Sequence, residues 1–546
     1  MTYWEKRGAQ LEQLADKRTR ITAQKVAHLY DEALERIEAK IQKIYTTFTG
    51  NSHITEAEAT RLMSVQQTKE ARKELEALLE RTTDQTLRQE IITQLNAPAY
   101  GYRIAALEAL RDQVYFEAKA IGNDSATYTE SRLKDLYDLG YYRTAFDLSQ
   151  YEGVNVPFSQ LSGGRVEAAI NAFWTPDVDT LAGNYSTRIW ADATQLAENV
   201  RDIVTRGLMT GGNYADMAAE LAAQMGDVQY QKRVNADGST RTVATGSGAK
   251  YRATRLIRTE GNYITGQAKL QSMRDAGYEK YEFICLLETR TCSVCGGLDG
   301  KQFPVAEAQP GVNMNPMHPN CRCFVSPVLS KRLMEAGTRG AQVDASGRKE
   351  TVPASMTYQE WHEKYVKGNG EMLTAQKMLQ NKASDQRQFA DYRQVLGEDA
   401  PKTFAEFQDL KYNNSEGWED LKYYYRHSGE KPLAYIKIDR ETQKAGITGK
   451  GYAYPVEDVD ITGWTGHSEN RLAQSGLTKD DALQFKQSAL AMMKRYPEPE
   501  TQYNYYSEDG VLGIKASTGV VNTVIGKDRF DNNTPRILEA MKKWLK

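Results

Sequence analysis

The sequence predicts a multidomain protein: a long, mostly α-helical N-terminal region with a small metal-stapled α/β module, then a C-terminal α+β domain with an antiparallel sheet. Three observations predict it. Apolar residues recur at three- and four-residue steps over roughly the first 120 positions. All five cysteines lie between Cys285 and Cys323. The last 140 or so residues change texture, with short β-branched and aromatic runs separated by turn residues. At 546 residues the chain exceeds what one core usually serves. The segments expected are a helical scaffold over 1–125, a knuckle-bearing domain over 126–334, a linker and helical spacer over 335–400, and the α+β domain over 401–546.

Composition narrows the class. Lys and Arg total 70 against 72 Asp and Glu, so the net charge of −2 gives no overall signal for nucleic acid. No run of about 18 apolar residues marks a membrane span. Nothing at the N-terminus resembles a signal peptide, which predicts synthesis in the cytoplasm and exit only by lysis or in a carrier particle.

In the helical region, Leu11, Leu14, Ile21, Val26, Leu29, Leu34, Ile37, Ile41 and Ile44 form an apolar stripe among Lys, Glu and Arg. A second such run covers Glu56 to Leu95, Pro98 breaks it, and a further helix continues to about Ala120. Shorter helices and turns are expected between Ala126 and Met225, with 210–213 as the turn before a helix near Tyr214. Residues 232–248 read as a hairpin or loop insertion turning at Asp237-Gly238. Tyr251 to Ala276 reads as a helix carrying Arg258-Thr259-Glu260, and Tyr281 to Leu287 as a strand entering the cysteine cluster.

The cluster has metal-ligand spacing. Cys292 and Cys295 form a C-x2-C knuckle; after 22 intervening residues, His318, Cys321 and Cys323 form H-x2-C-x-C. Zn2+ takes four soft or borderline donors in a tetrahedron, and two short knuckles supply them from little chain. Disulfides fit less well, because five is an odd number. A redox C-x-x-C pair needs no His-Cys-x-Cys partner downstream. The expected ligands are Cys292, Cys295 and His318 with Cys321, or Cys323 in its place, around a structural Zn2+ with no open position.

This series resembles the phage head morphogenesis family, the Mu F-like minor head proteins. The matching residues are Arg258, Thr259 and Glu260, then Glu288 to Arg290, Cys292, Cys295, Leu298, Gly300, and His318 through Cys323. Glu288 stands where the family has Asp. The resemblance covers about 190–330. It implies a minor structural protein of a tailed phage or prophage, located in the virion inside the head, with portal and capsid proteins as partners.

Beyond it, 335–355 has linker composition, and Tyr358 to about Val395 reads as a helical spacer. In the α+β domain, strands are expected at Leu433–Ile438, Ala445–Thr448, Tyr503–Tyr506, Gly510–Lys515 and Val520–Ile525, with helices at 480–494 and 535–546. The terminal meander resembles the barnase–EndoU–colicin–RelE class of ribonuclease toxins, to which Mu F-like modules are fused as a family property. That resemblance implies metal-independent cleavage of RNA and an immunity protein as partner. Such cleavage needs a base, an acid, and cations or hydroxyls around the phosphorane. The candidates are His467 as general base or acid, Lys515 on the phosphate, and Ser517 or Thr523 on a non-bridging oxygen. His427 competes with His467, Lys450 is a further phosphate candidate, and Tyr452, Tyr454, Tyr505 and Tyr506 are candidates for stacking on bases. Two alternatives stand beside this reading: a purely structural module that binds capsid, portal or packaged DNA, and ADP-ribosyl transfer, for which no convincing E-x-E pair is seen. Thr448-Gly-Lys-Gly451 lacks the remaining residues of a phosphate-binding Walker loop.

Overall fold

A computed structural model describes residues 3–48, 56–151, 161–175, 182–210, 213–226, 228–234, 240–328, 337–497 and 500–545. The chain divides into two compact units, residues 1–388 and 389–546. Among the described residues no helix is long and apolar enough to cross a membrane.

The first unit is mainly helical: α1 (Tyr3–Phe48), α2 (Val65–Arg81), α3 (Gln85–Leu95), α4 (Ala106–Tyr151), α5 (Tyr185–Met209), α6 (Tyr214–Met225) and α7 (Ala249–Asp275). Much of the periodic stripe of α1 becomes core, with Ile37 and Ile41 packed among Leu110 and Val114 of α4, Val200 and Val204 of α5, and Ile257 and Ile264 of α7, whereas Ile21 is exposed. Side-chain caps fix several helix starts: Ser64 closes a capping box with Gln67, and Asn213 accepts from the Asp216 N–H.

The region after Ala126 does not open as short helices, because α4 runs unbroken to Tyr151. Its glycines are packing positions. A Cβ on Gly122 would meet the Ala193 Cβ at 2.8 Å, and one on Gly140 would meet the Ala268 Cβ at 2.9 Å. Their absence lets α5 and α7 approach α4 closely, and tertiary packing outweighs their weak helix propensity. The insertion is an antiparallel pair, β1 (Val228–Val234) and β2 (Thr240–Ser247); its expected turn at 237–238 lies outside the described residues.

After α7 comes a three-stranded antiparallel sheet, ordered β4-β3-β5, of β3 (Lys280–Ile284), β4 (Gln302–Pro304) and β5 (Phe324–Pro327). The one-and-a-half-turn α8 (Ser293–Leu298) carries the first knuckle. The supposed linker at 335–355 is structured over most of its length: β6 (Thr338–Gln342) and β7 (Lys349–Pro353) form a hairpin. The spacer begins with α9 (Tyr358–Trp361), continued by a π-turn and then α10 (Gly370–Gln380). Trp361 is fully buried, and Ala341, Val352, Tyr358 and Met372 share a core with Phe283 and four of the cysteines. Gly, Ser and charged residues read as linker because the few apolar positions in this stretch are widely spaced.

The second unit contains α11 (Phe404–Asn413), α12 (Ser415–His427), α13 (Leu433–Lys444), β8 (Tyr452–Tyr454), β9 (Gly463–Trp464), α14 (Gly466–Ser475), α15 (Lys479–Gln487), β10 (Ala491–Arg495), β11 (Gln502–Tyr506), β12 (Gly510–Lys515), β13 (Val520–Gly526) and α16 (Thr534–Trp544). The sheet order is β8-β10-β11-β12-β13-β9, antiparallel except for the parallel pairing of β13 with β9. The meander and terminal helix stand where the sequence puts them. Leu433–Ile438 is helical and Ala445–Thr448 is a turn. LAYIKI alternates like a strand, but it continues into helix formers and buries Ile436, Asp439 and Thr442 at a three-residue step. The expected helix at 480–494 ends at Gln487, and Ala491–Arg495 becomes the second strand of the sheet, with Ala491, Met492 and Met493 fully buried. A strand covered on both faces reads as a continuous apolar run, which periodicity cannot separate from a buried helix.

Candidate metal centre

The knuckle residues converge. Cys292 occupies the N-cap of α8, where its sulfur accepts the Cys295 N–H at 3.4 Å. His318 Nε2 lies 3.3 Å from Cys292 Sγ and 3.5 Å from Cys295 Sγ. Cys295 and Cys321 sulfurs are 3.9 Å apart, far beyond the roughly 2.05 Å of a disulfide, and all five cysteines are free thiols. His318 Nδ1 sits 2.9 Å from the Pro319 carbonyl, a donor geometry that aims the Nε2 lone pair at the sulfurs.

Proton affinities in the cluster separate. The Cys295 hydrogen bond, followed by that of His318, holds Cys292 at about 4. Cys321 also falls, through hydrogen bonds from Cys295 and Cys323. Cys295 rises through its hydrogen bonds to Cys292 and Cys321, and Cys323 rises through hydrogen bonding to Cys285, Cys295 and Cys321. Hydrogen bonding to Cys292 raises His318 to about 9. Without an ion the site therefore gathers thiolate charge beside an imidazolium, and a soft cation would replace those protons. Donor type, spacing and orientation all fit Zn2+. Four protein donors would leave no position for water.

The other motif residues hold the two knuckles in place. On α7, the Thr259 hydroxyl accepts the Asn320 N–H at 3.1 Å, and Asn262 donates to the Cys323 carbonyl at 2.9 Å. Asn320 takes a left-handed φ of 63° inside the second knuckle. Glu260 faces the opposite way, into the helical core. There it pairs with buried Arg188 and accepts from the Trp174 indole at 3.3 Å, and Trp174 stacks on Tyr263 at 4.2 Å. Glu288 and Arg322 form an ion pair joining the two knuckle loops. Arg258 and Arg290 are exposed.

Sequence reasoning missed the clamp behind this centre. Arg339 on β6 bonds Asp299 in bidentate fashion at 3.0 and 3.2 Å, and also donates to the Cys285 and Met356 carbonyls. Asp299 further accepts the Cys285 and Tyr358 N–H groups, each at 2.8 Å. Tyr358 lies across α8, and a Cβ on Gly296 would meet its ring at 2.2 Å. Gly296→Ala is expected to cost about 1–3 kcal/mol by overpacking, read as a lowered denaturant midpoint with unchanged m-value. The acid was visible within L-x-G, but nothing local pointed to an arginine forty residues on.

The C-terminal candidates fall into separate groups. His467 is exposed in the first turn of α14, where Thr465 caps the helix and donates its N–H to the Val521 carbonyl at 3.0 Å. Thr523 is half-buried on β13, opposite Gly513. Glu500 engages the other two: Lys515 Nζ lies 3.7 Å away, and both the hydroxyl and N–H of Ser517 donate to it. No hydrogen bond or ion pair among the described residues joins His467 to Lys515, Ser517 or Thr523. Lys450 pairs with Asp531 at 2.5 Å, and His427 contacts Glu430 at 3.0 Å. Tyr505 and Tyr506 are core residues, which corrects their reading as base-stacking groups; Tyr452 is exposed and Tyr454 is half-buried beside Lys431.

Residues 198–326 match the model of the family described as Phage Mu protein F like protein. No curated protein and no solved structure matches the chain. The matched stretch takes in the last half of α5, all of α6 and α7, the three-stranded sheet to within one residue of its end, and both knuckles, so this protein carries a Phage Mu protein F-like domain that contains its Cys/His cluster.

Proposed function

We propose that this protein is a minor head morphogenesis protein of a tailed phage or prophage, carried in the virion and contacting portal and capsid proteins. The match of 198–326 to the Mu F-like family carries the reading. The grouping of Cys292, Cys295 and His318, with the Cys321 sulfur 3.9 Å from that of Cys295, supports a structural Zn2+ in that domain. Particles purified from a host expressing the intact assembly genes would contain the chain, and its deletion would lower the yield of filled heads. A protein missing from purified particles, with assembly unaffected by its deletion, overturns the proposal.

The C-terminal unit fits an interaction module for capsid, portal or packaged DNA, because Glu500 already neutralises Lys515 and holds Ser517. The exposure of His467 favours a second reading, a ribonuclease toxin with an immunity protein as partner. In that mechanism His467 exchanges the proton, Lys515 leaves Glu500 for the phosphate, and Ser517 or Thr523 binds a non-bridging oxygen. Residues 389–546 expressed beside the His467→Ala variant decide between them. RNA cleavage and growth arrest lost with the alanine establish the toxin, whereas intact RNA from a folded unit leaves the interaction module.

A further inference from the structure

In the second unit, the sheet face that α13 and α16 cover is apolar in one cross-strand row and polar in the next. Ala491, Tyr506, Val511 and Ile525 stand in register and pack with Ile438 of α13 and with Ile537 and Met541 of α16. Two residues along the strands, the register brings Asn504, Gly513 and Thr523 side by side. Asn and Gly are both disfavoured in strands. Here they occupy β11 and β12, the central pair of the six-stranded sheet. Such breaks in a local rule fall most often at functional positions.

A bulge builds the site. Gly513 pairs with Thr523 but Ile514 pairs with Val521, so Asn522 is the extra residue of β13. The bulge turns Asn522 and Thr523 to the same face. A Cβ on Gly513 would lie 2.9 Å from the Asn504 Oδ1, 2.9 Å from the Asn522 Oδ1 and 2.6 Å from the Thr523 Cγ2. Glycine therefore opens a hollow on which two carboxamide oxygens converge. The Asn522 oxygen is buried and has no hydrogen-bond partner among the described residues. No hydrogen bond among those residues engages the side chains of Gln502, Asn504 or Thr523 either. The adjoining row supplies charge, with Arg495, Gln502 and Lys515 in register across β10, β11 and β12. Lys515 is held by Glu500 at 3.7 Å, whereas Arg495 is exposed and makes no ion pair among the described residues. The two rows are about 7 Å apart, two residues along a strand.

These groups specify a ligand. A carboxamide carries both an acceptor and donors, so it pairs with the edge of a base in bidentate fashion. A buried carbonyl oxygen without a partner needs an incoming donor. The exocyclic amine or ring N–H of a base supplies one, and a phosphate does not. A guanidinium fork matches a phosphate. We infer that this face binds one nucleotide of a single-stranded nucleic acid: Asn504 and Asn522 read the edge of its base at the Gly513 hollow, and Arg495 holds its phosphate. The strand must be single, because only an unpaired base can turn its edge into the sheet. The inference deepens the ribonuclease reading, on which it rests for its ligand, and asks nothing of His467.

The test is fluorescence anisotropy of the full chain with short labelled single strands: oligo(A), oligo(C), oligo(U) and an alternating G–U probe, each as RNA and as its DNA counterpart. One base is expected to be preferred. Asn504→Ala and Asn522→Ala should each weaken the preferred probe about tenfold and leave the others nearly unchanged. Arg495→Ala should weaken all probes alike and lower the salt dependence of binding. Asn522→Ala removes an unsatisfied buried oxygen, so its thermal midpoint should hold or rise. A lowered midpoint with binding intact makes Asn522 structural and overturns the inference. Equal binding of every probe, unmoved by the asparagine changes, overturns it too, as does no binding by the unsubstituted chain. Preference for the RNA probes assigns the ligand to RNA, and equal affinity for DNA assigns it to any single strand; both uphold the site. RNA bound in this way but left intact removes the ribonuclease reading and keeps the site. RNA cut with one base preference by the unsubstituted chain and both asparagine variants keeps that reading and removes the site.

Discussion

Stripping zinc from the full chain with a strong chelator is expected to unfold the module around the knuckles while the C-terminal sheet stays folded. Cys285, Cys295, Cys321 and Cys323 are themselves core residues, packed with Phe283, Leu287, Met317 and Trp361. Without the ion, that core must hold thiolates at Cys292 and Cys321 beside the His318 imidazolium. Structural zinc binding is worth about 10–16 kcal/mol, more than most domains have in total stability. Hydrogen exchange followed by mass spectrometry should show β3, α8, β5 and the β6–β7 hairpin losing protection, with β11–β13 unchanged. Cys295→Ser should reproduce the effect without chelator. Full protection in a chain shown to contain no metal would refute a structural role for the site.

The second large effect is expected at Asp299, whose side chain is fully buried and accepts from Arg339 and two backbone N–H groups. Asp299→Ala leaves the guanidinium of Arg339 in the interior with its carboxylate gone, at a cost of about 3–5 kcal/mol. Chemical denaturation of the zinc-loaded protein measures it. Asp299→Leu with Arg339→Met removes both charges and should recover a good part of that loss, because the penalty comes from the unpaired ion. Equal destabilisation by the single and double changes would show that the pair is incidental.

Legibility in the sequence followed locality. The Cys/His cluster could be read because each knuckle places its donors two or three residues apart, so ligand-type spacing is written into the chain. The stripe from Leu11 to Ile44 could be read because most of its residues lie on one buried helix face, Ile21 excepted. The meander at 502–526 could be read because Glu508-Asp509-Gly510 and Ser517-Thr518-Gly519 mark its turns. Short buried runs were ambiguous: LAYIKI folds as helix and AMMKR as strand, each against its apparent period. The candidate catalytic set of the second unit was chosen by residue type, whereas charge compensation is a long-range property. Glu500 lies fifteen residues before Lys515 in the chain and beside it in space.

By itself the sequence determined a long helical region, a Cys/His centre of zinc-type spacing, and a terminal α+β unit, since each is encoded within a few turns or a few residues of chain. Only the tertiary structure decided that 338–380 caps the centre, that Asp299 and Arg339 lock it, that α4 runs unbroken through two glycines, and that Cys295, Cys321 and Cys323 form a second donor triad beside Cys292, Cys295 and His318. All four depend on pairings between residues far apart in the chain. Such contacts form only once the backbone has brought the elements together, and no local pattern records them.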